Sequence, residues 1–274
     1  MQIWPIGIGV LIAVIVGFLI WLQSMRRNIV DEEKEYYSVN RRVWRLLAPF
    51  YDLIATPISK VRGQVVNFVG AEAGAKVLDV ATGTGEQAIA FARHGYDVTG
   101  IDLSADMLRV ARRKNRYPNL KFVIADATGL LFDSGKFDVT SISFALHDMP
   151  VSIREKVLKE MARVTRPGGT IVIVDYALPR NRIGRFFIHS IIRLYEGKTY
   201  RDFVKSDLKG LLADAGIQVK EELPVVLGAG RVLKGGTGGA PANLKRSSSQ
   251  MVDSHRAPSW AAPHEIKAGI VQRL

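Results

Sequence analysis

An aspartate and two glycines lie where a short apolar run ends and a turn begins. Asp79 ends that run, and Gly83 and Gly85 alternate in the turn. Glycines between a strand and a helix let the backbone lie close against a ligand. With Ala88 the spacing also fits a dinucleotide-binding turn, and Asp102, 17 residues after Gly85, could bind a ribose in either case.

The charge of Asp79 favours one of these ligands. A pyrophosphate would be repelled by a carboxylate a few ångströms away, whereas a cation about 4 Å away gains roughly 4 kcal/mol at an effective dielectric of 20. S-adenosylmethionine carries an ammonium and a sulfonium and no phosphate, so it suits this turn better than a dinucleotide. A structural role, in which Asp79 only caps the turn, stays open.

The elements that would position this turn alternate regularly. Apolar runs predict strands at 76–80, 97–101, 121–125, 137–144 and 170–176; helical patterns lie at 86–94, 104–115, 152–164 and 200–215; a terminal hairpin covers 217–223 and 224–234. Strands separated by helices indicate a parallel sheet. We therefore expect a Rossmann-like, doubly wound α/β fold whose seven-stranded sheet is mostly parallel and ends in an antiparallel hairpin.

The N-terminus predicts a membrane anchor. Residues 1–25 carry no charged side chain, and about 20 apolar residues suffice to span a bilayer. Arg26 and Arg27 follow the run, which favours an uncleaved, single-pass helix over a cleaved signal peptide and places the catalytic domain in the cytoplasm. Residues 26–70 are expected to form a linker and N-terminal helices, 71–234 a cofactor-binding domain, and 235–274 a disordered tail.

Composition limits the other partners. The chain has no cysteine, which excludes disulfides and thiolate metal sites, and we predict no metal site. The net charge of +12 favours an anionic partner, either a membrane surface or a nucleic acid. A nucleic acid is disfavoured, because basic residues interleave with aromatic and apolar ones only in residues 180–195, which we interpret as a substrate lid at the membrane.

Four sequence blocks occur in order. They are Leu78–Gly85, Gly100–Ser104 with Met107-Leu108 and Ala111-Arg112, Ala125–Ala127, and Arg163–Gly169. Together they resemble the class I S-adenosylmethionine-dependent methyltransferases over about residues 45–234. The resemblance implies S-adenosylmethionine as the cofactor, with its methionine part held by Asp79 and the backbone around Ala81, Gly83 and Gly85.

The same resemblance implies an adenosine site. Asp102 would accept both ribose hydroxyls, Leu103 and Met107 would flank the adenine, Asp126 would accept its exocyclic amine and Ala127 would line the ring. Plain helix packing is the alternative for Leu103 and Met107. Ser143, at the end of the fourth strand, completes the expected set of cofactor-binding residues.

Two further blocks resemble the ubiquinone/menaquinone C-methyltransferases and related membrane-lipid methyltransferases. Phe50–Leu53 is similar to their Tyr-Asp block, and Glu160–Gly169 to their turn before the fifth strand. The resemblance suggests Tyr51 as a residue that closes over the cofactor and Arg62 as a partner of its carboxylate. Ordinary packing of Tyr51 and a solvated Arg62 are equally open.

The chain departs from those enzymes after the fourth strand. They carry an Arg-Asn pair there, whereas this chain reads Ala145–Pro150. His147, at the ligand-binding edge of the sheet, is our candidate general base, and Asp148 is the candidate that orients it. A loop histidine that only makes structural hydrogen bonds is the alternative.

These observations predict methyl transfer to a small, lipid-soluble acceptor at the cytoplasmic face of the membrane. A demethylated quinone and an aminophospholipid both fit. A nicotinamide-dependent oxidoreductase and a non-catalytic module that binds S-adenosylmethionine are the alternatives. The acceptor atom and the oligomeric state stay open.

Overall fold

The computed structural model describes residues 32–177 and 198–238. Three predicted segments therefore lie outside the described residues: the anchor at 1–25, the whole lid at 180–195, and the tail from 239 onward.

The predicted single-pass membrane localisation, with a cytoplasmic catalytic domain, needs correction. In the part of the chain that the structure describes, no helix is both long enough and apolar enough to cross a membrane. The N-terminal described helix, Glu32–Leu47, has 16 residues and carries several charges. At a rise of about 1.5 Å per residue such a helix falls short of the roughly 30 Å of hydrocarbon that it would have to cross.

A seven-stranded mixed sheet organises the described residues, in the order β3-β2-β1-β4-β5-β7-β6. The strands are β1 Lys76–Val80, β2 Asp97–Asp102, β3 Leu120–Ile124, β4 Phe137–Ser143, β5 Thr165–Tyr176, β6 Ile217–Val225 and β7 Gly230–Thr237. Strands β1 to β5 pair in parallel, and β7 runs antiparallel to both β5 and β6. The predicted Rossmann-like sheet with its antiparallel hairpin is confirmed.

Helices cover both faces of the sheet. They are α1 Glu32–Leu47, α2 Tyr51–Ile54, α3 Ser59–Val69, α4 Glu86–Arg93, α5 Ala105–Lys114, α6 Val151–Val164, α7 Lys198–Lys205 and α8 Leu208–Asp214. One apolar cluster joins α3, α4 and α5 to the sheet, and the other joins α6, α7 and α8. Strand β1 is buried on both sides, with Val77, Leu78 and Val80 fully enclosed, as a central parallel strand should be.

Several element boundaries differ from the sequence pattern, among them the following three. The helix expected over 200–215 is divided, because Asp207 starts a new helix by accepting a hydrogen bond from the Gly210 amide (3.0 Å). Strand β5 begins at Thr165, so the Pro-Gly-Gly turn lies within it as a register shift. Strand β7 continues to Thr237, three residues past residue 234, the expected end of the domain.

Candidate active site

A cavity opens where strands β1, β2 and β4 end, and with its open mouth it encloses about 1210 Å³. Carboxyl ends of parallel strands are where open α/β sheets bind ligands. The N-terminal helices form the opposite wall through Tyr36, Trp44 and Tyr51. Trp44 and Tyr51 pack edge to face with their ring centroids 5.6 Å apart.

The turn between β1 and α4 has an unusual backbone conformation. Ala81, Gly83 and Gly85 all have positive φ angles, of 52°, 56° and 80°. A Cβ on Gly85 would lie 2.6 Å from the ring of Phe122, whereas a Cβ on Gly83 would meet nothing within 4 Å. Gly85 is therefore required for packing, and Gly83 leaves the backbone open toward the cavity.

Asp79 lies beneath this turn with 1 % of its surface exposed. The Thr82 hydroxyl donates to its Oδ2 at 2.6 Å. Within the described residues its Oδ1 has no hydrogen-bond partner, although the side chain lines the cavity. Burial raises the pKa of this carboxyl to about 7, against the opposing effects of the Thr82 and Ser141 hydroxyls and the Ala88 amide. A buried, unpartnered carboxylate oxygen at a cavity wall suits a cationic ligand.

Asp102 joins the end of β2 to the glycine turn. Its Oδ2 accepts from the Gly83 amide and its Oδ1 from the Ser104 amide, both at 2.8 Å. Burial raises the pKa of this carboxyl as well. Each oxygen keeps a second lone pair, so the carboxylate can still accept two hydroxyl donors from the cavity.

The remaining residues expected to bind adenosine lie on the same wall. Leu103, Met107, Asp126 and Ala127 all line the cavity. Asp126 Oδ1 accepts from the Thr128 amide at 2.8 Å and from its hydroxyl at 2.7 Å, which fixes the carboxylate. Met107 is buried at the start of α5, where its amide donates to the Ser104 cap at 3.3 Å. The structure thus gathers these acidic and apolar residues along the lining of one cavity.

Ser143 also reaches the cavity, from the end of β4. Its hydroxyl is buried and, among the residues described, has no hydrogen-bond partner. A ligand in the cavity would satisfy it.

Acidic side chains outnumber basic ones around the cavity. Its described lining includes five carboxylates, from Asp79, Glu86, Asp102, Asp126 and Asp148, and a single guanidinium, from Arg62. Such a lining favours a cation and disfavours a pyrophosphate. The residues present therefore fit S-adenosylmethionine better than a dinucleotide.

An ionic network that sequence reasoning missed holds the N-terminal helices against this wall. Lys114 Nζ lies 2.6 Å from both Asp52 Oδ2 and Glu86 Oε1. The Thr84 hydroxyl donates to Asp52 Oδ1 at 2.5 Å, and Arg62 pairs with Glu86 at 3.5 Å. Asp52 belongs to the Tyr-Asp block, so the sequence offered a signal for its importance. Nothing in the sequence points to Lys114.

His147 lies behind the cavity, and the described lining does not include it. It occupies the 3-10 turn Leu146–Asp148 and is 4 % exposed. Its Nδ1 lies 2.8 Å from Asp175 Oδ1, whereas its Nε2 is 3.7 Å from Asp148 Oδ2. Asp175 therefore makes the closer contact and orients the imidazole through Nδ1, whereas Asp148, the expected orienting residue, lies on the Nε2 side and lines the cavity.

Comparisons with known proteins agree with this geometry. Residues 77–169 match the family model described as "Methyltransferase domain". The magnesium protoporphyrin IX methyltransferase of Synechocystis PCC 6803, solved with bound SAH, superposes with a TM-score of 0.53 and 20 % identity, covering 66 % of this chain and 83 % of that one. This likeness shows the fold.

Residues 77–169 thus match a methyltransferase domain, and the predicted resemblance to the class I S-adenosylmethionine-dependent methyltransferases, with S-adenosylmethionine as the cofactor, is confirmed. Within that class the domain is similar to the ubiquinone/menaquinone C-methyltransferases, as expected.

The curated relatives are enzymes of quinone biosynthesis. Demethylmenaquinone methyltransferase of Renibacterium salmoninarum is 41 % identical over 138 residues, or 48 % of this chain and 56 % of that protein. The ubiquinone/menaquinone biosynthesis C-methyltransferase UbiE of Bdellovibrio bacteriovorus is 44 % identical over 119 residues, or 42 % of this chain and 50 % of that protein. The chain spans about half the length of these relatives.

Proposed function

We propose that this protein transfers the methyl group of S-adenosylmethionine to a small, largely apolar acceptor, and that the acceptor is demethylmenaquinone in its hydroquinone form. The observation that carries the proposal is Asp79, a buried carboxyl that lines the cavity and whose Oδ1 has no hydrogen-bond partner within the described residues. The charged side chains of the described lining are five carboxylates and one guanidinium. The acceptor is taken from the relatives that are named demethylmenaquinone methyltransferases.

Each part of the cofactor has a partner in the proposal. Asp79 and the backbone of Ala81 and Gly83 hold the methionine part, and Asp102 accepts the ribose hydroxyls. Asp126 accepts the adenine amine, while Leu103, Met107 and Ala127 cover the ring. Arg62 faces the cofactor carboxylate. When bound, S-adenosylmethionine supplies an electrophilic methyl group on a sulfonium.

The acceptor would lie against the other half of the cavity. There the lining is apolar and aromatic, with Tyr51, Phe144, Met149, Ile153 and Val157. Burial raises the pKa of Tyr51 to about 12, so its hydroxyl stays protonated at neutral pH and can donate to an oxygen of the acceptor. A flat ring with two oxygens suits such walls, and their apolar surface keeps water from the reacting atoms.

The test is a transfer assay with methyl-labelled S-adenosylmethionine. The full chain is incubated in detergent micelles with demethylmenaquinone reduced by dithionite or, separately, with phosphatidylethanolamine. Extracted products are separated by chromatography. We expect label in menaquinone, and a loss of at least about 10-fold in Asp79→Asn because its amide cannot pair with a cation.

The other outcomes discriminate between the alternatives. Label in the phospholipid would overturn the quinone assignment while keeping methyl transfer. S-adenosylmethionine binding without transfer to either acceptor would indicate a binding module. Micromolar binding of NAD without binding of S-adenosylmethionine would overturn the whole proposal.

A further inference from the structure

Three side chains form a line from the cavity into the protein interior. Asp148 lines the cavity, His147 lies behind it, and Asp175 lies deepest, with no exposed side-chain surface. We propose that Asp148 accepts the proton that the methyl acceptor loses and passes it to His147, which Asp175 holds in position. This inference rests on the proposed function and reverses the order expected from the sequence, in which His147 was the base.

Asp175 fixes the imidazole from two directions. Its Oδ1 is 2.8 Å from His147 Nδ1, and its Oδ2 accepts the backbone amide of His147 at 3.2 Å. The Tyr176 amide also donates to Oδ1, at 2.8 Å. A carboxylate that accepts from every side places the ring proton on Nδ1, which leaves Nε2 as an acceptor.

Nε2 then points toward Asp148. Its distance of 3.7 Å from Asp148 Oδ2 is longer than a hydrogen bond, and such contacts shorten when a substrate fills a site. Once Asp148 is protonated, its hydroxyl can donate to Nε2. The resulting imidazolium would lie between two carboxylates, a position that favours its charge.

Contacts from neighbouring elements stabilise the turn that carries His147 and Asp148. Arg154 is buried on α6, and its Nε donates to the carbonyl of Leu146 at 2.8 Å. Its guanidinium lies 4.9 Å from the ring centre of Phe203 on α7. The imidazole itself packs against Tyr176, with the ring centroids 4.6 Å apart. These contacts hold the relay in one geometry.

Other ionisable groups face the relay from each neighbouring element. Tyr36 on α1, Tyr51 on α2 and Asp102 on β2 lie at the cavity side. Arg154 lies on α6, and Asp202 on α7 is close enough to act on it. Burial raises the pKa values of Tyr36 and Tyr51, so both stay neutral near pH 7. Histidine is the side-chain type that ordinarily changes protonation between pH 5 and 8, which suits His147 as the final holder of the proton. Asp79, whose pKa burial raises to about 7, also titrates in this range.

The reaction balances with this assignment. The methyl carbon loses its bond to sulfur and forms a bond to the acceptor, and the sulfonium becomes a neutral thioether. The acceptor gives up one proton, which moves to a carboxylate oxygen of Asp148 and then to Nε2 of His147. No oxidant or reductant takes part in the transfer.

The first test compares Asp148→Asn with the wild type, using reduced demethylmenaquinone. We expect kcat to fall by about 100-fold while the Kd for S-adenosylmethionine stays within about threefold, because an amide fills the same space but accepts no proton. Asp214→Asn, a matched change on the surface of α8, should leave both values unchanged. A kcat within threefold of the wild type, or an equal loss in kcat and cofactor affinity, would overturn the relay.

The second test separates positioning from folding. Asp175→Asn and His147→Gln should each lower kcat and shift the acidic limb of the pH–kcat profile, whereas a purely structural role would leave the shape of the profile unchanged. An unshifted limb in both variants would contradict the proposal. A wild-type protein that binds S-adenosylmethionine but transfers no methyl group would instead refute the proposed function.

Discussion

The amide of Gly83 donates a 2.8 Å hydrogen bond to the carboxylate of Asp102. This bond connects the turn after the first strand to the end of the second strand. A substitution in either segment should therefore alter the conformation of both. In the proposed function these two segments hold the methionine and ribose parts of the cofactor.

Asp102→Asn should weaken both roles of this carboxylate. We expect the Kd for S-adenosylmethionine to rise at least about 10-fold and the free energy of unfolding to fall by about 1–2 kcal/mol, since an amide accepts fewer hydrogen bonds. Calorimetric titration and urea unfolding measure the two effects. Asp97→Asn, at the exposed start of the same strand, is the control. Equal Kd values for the two variants would remove Asp102 from the site.

Gly85→Ala and Gly83→Ala should separate packing from binding. A methyl group on Gly85 would overlap Phe122, so we expect a loss of about 2–4 kcal/mol of stability. The added methyl group of Gly83→Ala would meet no atom within 4 Å, so the variant should lose only about 1 kcal/mol of stability, because of the positive φ angle. We nevertheless expect it to weaken cofactor binding. Thermal unfolding with titration of each variant checks this pair. The reverse ranking in stability would contradict the packing assigned to Phe122.

Lys114→Met tests the network that holds Tyr51 over the cavity. Without the ammonium, the carboxylates of Asp52 and Glu86 lose their shared partner. Because these groups are partly exposed, we expect the variant to lose at most about 1 kcal/mol of stability. The KM for S-adenosylmethionine should rise several-fold. Arg113→Met, one residue earlier on the same helix, should leave KM unchanged. An unchanged KM in Lys114→Met would show that the network has no part in binding.

The sequence predicted the sheet and one wall of the site well. Buried strands such as Thr170–Tyr176 are recognisable from β-branched residues, and the helical pattern over 104–115 corresponds to α5, which begins after Ser104. The residues around the glycine turn are close in sequence, so their spacing defines their geometry.

Contacts between residues that are far apart in the sequence could not be predicted from it. Asp175 is 28 residues from His147, and Lys114 is 62 residues from Asp52. The adjacent Asp148 therefore seemed the partner of His147, although neighbouring side chains in a turn often diverge. Asp207 was overlooked as a cap because the apolar spacing of 200–215 continues across it.

The buried carboxyl of Asp79 should make the ligand-free protein less stable as pH rises. Its pKa is about 7 in the folded protein against 3.8 for the free side chain, so the folded state binds this proton more tightly. The stabilisation from this group is present below about pH 4 and is lost as pH rises to about 7. Asp79→Asn should therefore stabilise the ligand-free protein at pH 8 by on the order of 1–3 kcal/mol. Urea unfolding at pH 5 and 8 measures it, and a destabilised variant at pH 8 would contradict the assigned burial.

The central claim is that the carboxylate of residue 79 receives the positive charge of S-adenosylmethionine, and calorimetric titration between pH 5.5 and 7.5 tests it most directly. Because a cation binds the ionised carboxyl, the Kd of the wild type should rise as pH falls through about 7, by up to about 10-fold per unit, with proton release on binding. Asp79→Asn should bind weakly with a flat profile over the same range. A wild-type Kd that does not change with pH, together with an unchanged affinity in Asp79→Asn, would contradict the account.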